Sequence, residues 1–286
     1  MMRGRTAAAL LAIALSPAIA HAQTAAPRAK APTAATAGPV PRGSDGKPDL
    51  TGVWQGGSTQ RGSWEETNGG VGVGGSGRNA AAPVASSSND RPAGREGAPY
   101  QDWAAKKVLE AFNKRGIEDP TARCLPAGLP RTVILALYPQ QIVQTPTQII
   151  FLYEYLTMFR VVPLNAKHPD DLIPSYMGHS VAHWEGDTLV VDVVGFNDKT
   201  WLAGTGTFHS DALHITERYT RVDKDQINYD VTMDDPRVFT RPWTLHSTLM
   251  LREGTRLEEY VCENNVDPGR YEQMLKDGVK IERPPQ

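Results

Sequence analysis

Cysteine is scarce in this chain, two among 286 residues, Cys124 and Cys262, and no Cys-x-x-Cys pair occurs. That excludes a disulfide-dense scaffold, a zinc ribbon and a thioredoxin-type redox motif. No run of Lys and Arg is present and the formal charge is -2, so the electrostatic footprint of a nucleic-acid-binding protein is missing and no nucleic-acid partner is expected. Apolar runs are short. The longest, from Ala7 to Ala20, is broken by Ser16 and Pro17, below the roughly 18 residues a membrane-spanning helix needs. Also missing are a His-Glu-x-x-His helix motif, a Gly-x-Gly-x-x-Gly fingerprint, a Walker loop, the kinase set and a Gly-x-Ser-x-Gly elbow. These absences leave no sign of a nucleotide cofactor, and no cofactor of any kind is expected.

What is present first concerns compartment. Arg3 and Arg5 precede the apolar run, and Ala20-His21-Ala22 stands before Gln23, the layout of a secretory signal peptide over residues 1–22. A periplasmic or secreted protein is expected, with no membrane contact after cleavage. An even cysteine count in an oxidising compartment points to a Cys124–Cys262 disulfide, with metal binding or a nucleophilic thiol as the alternatives. It would close a long loop, contributing on the order of 4 kcal/mol by chain entropy.

Composition divides the rest. Residues 23–47 are rich in Ala, Pro and Thr and residues 55–99 in Gly, Ser and Ala, too little apolar surface to offset the entropy of ordering, so both read as flexible. Between them, residues 48–54 read as a short strand, carrying Trp54, that docks on the main body. Residues 100–286 read as one folded domain. Trp103, Val108, Ala111 and Phe112 recur at helical spacing over 102–114, with Gly116 as a stop. Beyond Pro130 the pattern is strand after strand: 131–137, 141–145, 148–155, 158–162, 179–184, 187–194, 213–222, 226–234, 243–251 and 256–262. Turn signals such as Glu185-Gly-Asp187 separate neighbours. Ten short strands joined by tight turns predict a mostly β fold: an antiparallel meander closing into a lipocalin-like barrel, with one N-terminal amphipathic helix.

Three segments concentrate polar chemistry near predicted strand ends: Met177-Gly-His-Ser-Val-Ala-His183, Gly195-Phe-Asn-Asp-Lys-Thr-Trp201 and Phe208-His-Ser-Asp-Ala-Leu-His214. Sequential pairing lets them meet at one mouth, giving a cavity lined by His179, His209 and His214 with Asp198 or Asp211 orienting them. The alternative is that these groups cap turns. Glu154, beside Ile150 and Leu152, and Asp192, beside Val190 and Val194, sit in apolar strands and need partners, for which Arg160 and Arg218 are candidates; Glu217 raises the same question. A structural ion pair competes with a catalytic role for each. His179-x3-His183 and His209-x4-His214 resemble metal-ligand spacings, but residues four apart on a strand lie about 13 Å apart, so local chelation fails and no metal is assigned; zinc or another transition metal stays open only as a site whose ligands converge from separate elements. Ser180, Ser210 and Ser247 each follow a histidine, yet adjacent strand residues point apart.

The blocks Cys124-Leu-Pro-x-Gly-Leu-Pro-Arg131, Gly178-His-Ser-x-x-x-Trp-Glu-Gly-Asp-Thr-Leu-Val-Val-Asp192, Gly195-Phe-Asn-Asp-x-Thr-Trp201, His209-Ser-x-x-Leu-His-x-x-Glu-Arg218 and Glu259-Tyr-x-Cys-Glu-Asn-Asn265 resemble an uncharacterised family of exported bacterial proteins. That resemblance implies export and no particular activity. Gly52-Val-Trp54 is similar to the opening of lipocalin-type barrels. The resulting expectation is a small-molecule barrel for an apolar or aromatic, phenol-like ligand, or else a cofactor-independent acid–base enzyme (isomerase, lyase or hydrolase) acting on one. The catalytic candidates are His179, His209, His214, Glu154 and Asp198. The ligand-contacting candidates are Tyr153, Tyr155, Arg160, Asp192, Trp201, Glu217 and Arg218.

Overall fold

The structure, a computed structural model, describes residues 38–59, 98–113, 118–134, 138–202, 206–262 and 276. The expected signal peptide and residues 60–97 of the Gly/Ser-rich segment lie outside the described residues. Nine strands form one antiparallel sheet: β1 (Gly52–Thr59), β2 (Gln140–Gln144), β3 (Gln148–Tyr153), β4 (Met158–Pro163), β5 (His179–Glu185), β6 (Thr188–Val194), β7 (His214–Arg221), β8 (Gln226–Asp234) and β9 (Trp243–Leu251). Their order is β4-β3-β2-β1-β9-β8-β7-β6-β5. The sheet curls until its two outer strands meet, where Asn165 N–H donates to Ala182 C=O at 2.6 Å and Leu164 bridges Ala182 in parallel. The result is a mostly β, nearly closed barrel.

Alternation places one face of each strand inside. In β8, Ile227, Tyr229, Val231 and Met233 are fully buried, while Asn228, Asp230 and Thr232 lean outward. Register sets buried residues opposite buried ones across neighbours, with Tyr219 opposite Tyr229, Tyr229 opposite Ser247 and Phe151 opposite Arg160. Phe151, Tyr153, Tyr219 and Tyr229 therefore fill the interior, as side chains fill small barrels generally. Phe159 of β4, by contrast, lies on the outer face and is 70% exposed.

Three expected elements differ. Residues 48–54 do not dock as a separate strand: β1 begins at Gly52, runs on to Thr59 and forms part of the barrel wall between β2 and β9. Trp54 is buried there, donating from Nε1 to Leu50 C=O at 2.9 Å, beneath the Arg221 guanidinium. The expected strand at 131–137 begins instead as a helical turn, α2 (Arg131–Ile134). Pro130 C=O accepts from Val133 N–H at 2.9 Å and Ile134 N–H at 3.2 Å, and Thr132 N–H donates to Gly128 C=O at 2.9 Å; residues 135–137 lie outside the described residues. The turn presses on β1, where a Cβ at Gly56 would stand 2.8 Å from Val133 O. Residues 256–262 form no strand, because both edges of β9 are already taken by β1 and β8.

The amphipathic helix expected from spacing is α1 (Asp102–Asn113). Its buried face is Ala104, Val108 and Ala111, whereas Trp103 is half exposed. It lies at the barrel end where β5 and β7 begin and β6 and β8 finish, over Tyr100, Phe208 and Phe239. Residues 38–50 lie at the other end, where Arg42 pairs with Asp187 and Lys47 Nζ reaches Gly186 C=O. Cys124 and Cys262 form the disulfide. Among the described residues no helix is long and apolar enough to cross a membrane.

Candidate functional site

The strand ends carrying His179, Asp198, His209, His214 and Glu154 all fall at one end of the barrel, a consequence of the antiparallel order. Within that end the residues separate into three groups, and a fourth fills the interior.

In the interior, Arg160 and Glu217 face each other from β4 and β7 in a two-pronged pair, Nη1 to Oε2 at 2.5 Å and Nη2 to Oε1 at 3.3 Å. Tyr219 and Tyr229 hydroxyls both donate to Glu217 Oε1 at 2.9 Å, and the guanidinium lies 4.5 Å from the Phe151 ring centre. Glu217 has no solvent exposure and Arg160 only 5%. Burial opposes the Arg160 charge, but Glu217 prevails and holds it protonated, while burial and the Glu217 charge push the Tyr219 and Tyr229 phenols well up. Tyr153, also sealed inside, is raised by burial. Glu217 thus binds Arg160, Tyr219 and Tyr229 in the arrangement of a structural ion pair, while Tyr153 Oη and Arg160 Nε have no hydrogen-bond partner among the described residues.

On the outer face, Asp192 does not reach Arg160 or Arg218. Its partners are two imidazoles: His214 Nε2 at 2.5 Å on one oxygen and His168 Nε2 at 2.9 Å on the other. Arg218 pairs with Glu185 instead. His168 Nδ1 then meets His179 Nδ1 at 2.8 Å. Burial alone would raise the Asp192 carboxyl, but the two imidazole hydrogen bonds win and hold it below its usual range. An ionised Asp192 requires N–H at His168 Nε2 and His214 Nε2. With neutral rings, His168 Nδ1 accepts from His179 Nδ1–H and the remaining lone pair of the chain falls on His179 Nε2. The 2.8 Å separation is that of a hydrogen bond; two imidazoles on one tetrahedral metal stand about 3.3 Å apart given metal–nitrogen bonds of about 2.0–2.1 Å. Burial and the neighbouring His168 lower the His179 pKa.

His209 goes elsewhere. It is 2% exposed, accepting at Nε2 from Thr200 Oγ1 at 2.7 Å and donating from Nδ1 to Ser210 C=O at 2.8 Å, so neither ring nitrogen is free for catalysis. Burial lowers its pKa. A histidine depressed in the folded state contributes stability that is complete above its unfolded value near 6.5 and is lost as pH falls through the folded value. The melting temperature is therefore expected to fall more steeply from about pH 7 to 5 for the parent than for His209→Gln; parallel curves from thermal scans would refute the assignment.

Above His209 lies a pocket of about 400 Å³ between α1, Glu118 and the loop that joins β6 to β7. Trp103, Trp201 and Phe208 give it aromatic walls, Trp103 and Phe208 standing 5.7 Å apart. Lys107 Nζ sits 4.1 Å over the Phe208 ring, and Glu110, Glu118 and Asp198 supply carboxylates. This volume is in the range of small-molecule sites. Gly206 sets how closely α1 approaches: its φ is +84°, and a Cβ there would stand 2.3 Å from Ala111 Cβ. Gly206→Ala is expected to lift the helix and destabilise the fold by about 1–3 kcal/mol, read by chemical denaturation; an unchanged midpoint would show that α1 is not seated there.

Glu154 ends β3 and accepts the Glu258 N–H at 2.9 Å, beside the ring cluster of Tyr138, Tyr155 and Tyr260 next to the disulfide. Burial pushes Tyr155 up to about 12. Neither touches the histidines. Sequence reasoning missed His168, which stands in an irregular connection with no motif around it, and passed over Trp103 and Lys107 as ordinary helix residues. Only the turn of α1 against Phe208 brings the latter two to the pocket.

The fold and site define a nearly closed antiparallel β-barrel with a pocket at one end. No family model and no curated protein matches the chain. Among solved structures, a mutant of the fluorescent protein UnaG is similar at 14% identity over 49% of this chain and 89% of that one, with a TM-score of 0.26.

Proposed function

We propose that this is an exported small-molecule-binding barrel whose ligand, apolar or aromatic in its main body, sits in the pocket beneath α1 rather than in the barrel interior. The observation that carries this reading is the pocket's chemistry: three aromatic side chains around about 400 Å³, with Lys107, Glu110, Glu118 and Asp198 also in the lining. In the interior, Phe151, Tyr219, Tyr229 and the Arg160–Glu217 pair stand where a ligand of the barrel itself would have to enter. Export is supported by the signal-like N-terminus and by the Cys124–Cys262 bond.

Native mass spectrometry of protein purified from its exported compartment tests the reading, together with aromatic-compound titrations followed by tryptophan fluorescence. The expected result is a saturable organic ligand whose affinity falls in Trp201→Ala and Phe208→Ala and is unchanged in Tyr153→Phe. A bare mass with no saturable aromatic ligand overturns it. Intact-mass analysis of the mature chain is expected to show a start at Gln23.

A second reading is favoured by the Asp192–His168–His179 chain, whose tautomers leave a lone pair at His179 Nε2, the arrangement of an oriented general base. On that reading the protein is a cofactor-independent acid–base enzyme. Its His168→Ala form then retains ligand binding and loses turnover, whereas a pure binder shows no turnover to lose.

A further inference from the structure

We infer that the ligand of the α1 pocket is an organic monocation, an amine or ammonium group attached to an aromatic or alkyl body; this rests on the binding reading above and specifies its chemistry. Three observations converge. First, the walls are ring faces, and the face of Phe208 already holds a cation, Lys107 Nζ at 4.1 Å from the ring centre. A ring face attracts positive charge within about 6 Å and repels negative charge. The geometry thus shows that this position accepts an ammonium group, with the protein's own side chain standing in it.

Second, the charges around the cavity are unbalanced. Among the described lining residues, Glu110 and Asp198 stand with one ammonium, that of Lys107, so an entering cation meets a more favourable field than an entering anion. Glu110 follows Lys107 by three positions on α1 and therefore shares its helix face. A ligand cation that takes the Phe208 face leaves Lys107 free to swing toward these carboxylates. Third, Lys107 has a long flexible stem on an exposed helix face, so displacing its head group requires rotamer changes and no movement of the barrel.

The test compares three fragments of one size at pH 7: benzylamine as cation, benzyl alcohol as neutral analogue and benzoate as anion, each titrated at millimolar concentration by calorimetry and tryptophan fluorescence. Benzylamine is expected to bind about tenfold more tightly than benzyl alcohol, with benzoate weakest, and its advantage is expected to shrink as salt screens the carboxylates. Glu110→Gln/Asp198→Asn is expected to remove most of that advantage while leaving benzyl alcohol unchanged. Lys107→Met separates the possibilities most sharply. It vacates the Phe208 face and is expected to strengthen benzylamine binding several-fold, whereas at a site for anions it would abolish binding. If benzyl alcohol or benzoate binds as well as or better than benzylamine, or if Lys107→Met weakens the amine, the cation assignment falls while the pocket remains a binding site. If none of the three binds saturably, both the assignment and the binding reading fall.

Discussion

Glu217→Ala is expected to destabilise the protein by about 3–5 kcal/mol, a large fraction of the stability of a domain this size. The substitution does more than remove an attraction. It leaves the Arg160 guanidinium, 5% exposed, as an uncompensated buried charge, and it strips the acceptor from two buried phenols, Tyr219 and Tyr229. Leaving a buried donor unpaired forfeits its hydration with nothing in return. Removing both charges is a different experiment. Arg160→Met/Glu217→Leu is expected to recover much of the loss, since apolar groups of similar volume need no partner, with the residual deficit reporting the two stranded hydroxyls. Urea denaturation of the parent, the single and the double variants measures all three; a loss below about 1 kcal/mol for Glu217→Ala would mean that water reaches this pair and that the interior is open.

Cys124→Ser/Cys262→Ser is expected to lower stability by about 4–5 kcal/mol, from the entropy of the closed loop. The bridge spans 138 positions, and that stretch contains β2 to β9, eight of the nine strands. Cross-linking it removes extended conformations of nearly the whole barrel from the unfolded ensemble. Reduction of the parent with a strong thiol is expected to give the same decrease as the double variant, and reoxidation to restore it. If denaturation midpoints agree with and without reductant, the bond merely pins the segment around Tyr260 and does not constrain the unfolded chain.

Much of the wall was readable from local pattern. Gln226–Asp234 and Trp243–Leu251 are strands over the boundaries their alternation predicts, because a half-buried strand writes its two faces into successive residues. The helix at 102–113 was legible for the same reason, with a different period. The failures lie where partners decide. Residues 131–134 carry the β-branched Thr132, Val133 and Ile134 yet form a helical turn after Pro130, and residues 256–262 are strand-like in composition yet find no free sheet edge. Propensity yields to the availability of a hydrogen-bonding neighbour.

The histidines show the same division. That His179, Asp198, His209 and His214 cluster near strand ends follows from turn positions along the chain, and antiparallel order brings those ends to one side of the barrel. Which of them touch does not follow. Asp192 takes His168 and His214 because the register sets Asp192 opposite Thr216 and Val181, turning its side chain outward, away from inward-facing Arg160. His209 is committed to Thr200 and Ser210 by the loop between β6 and β7. By itself the sequence determined the class of fold, the alternation of its strands, its helix and the pairing of its two cysteines, all of which depend on periodicity or on counting. Tertiary structure alone decided that Arg160 and Glu217 seal the interior, that His168 joins Asp192 and His179, and that Trp103, Trp201 and Phe208 wall one pocket. Those contacts join residues from about 11 to more than 100 positions apart, and their geometry depends on register, curvature and loop path, none of which a local pattern encodes.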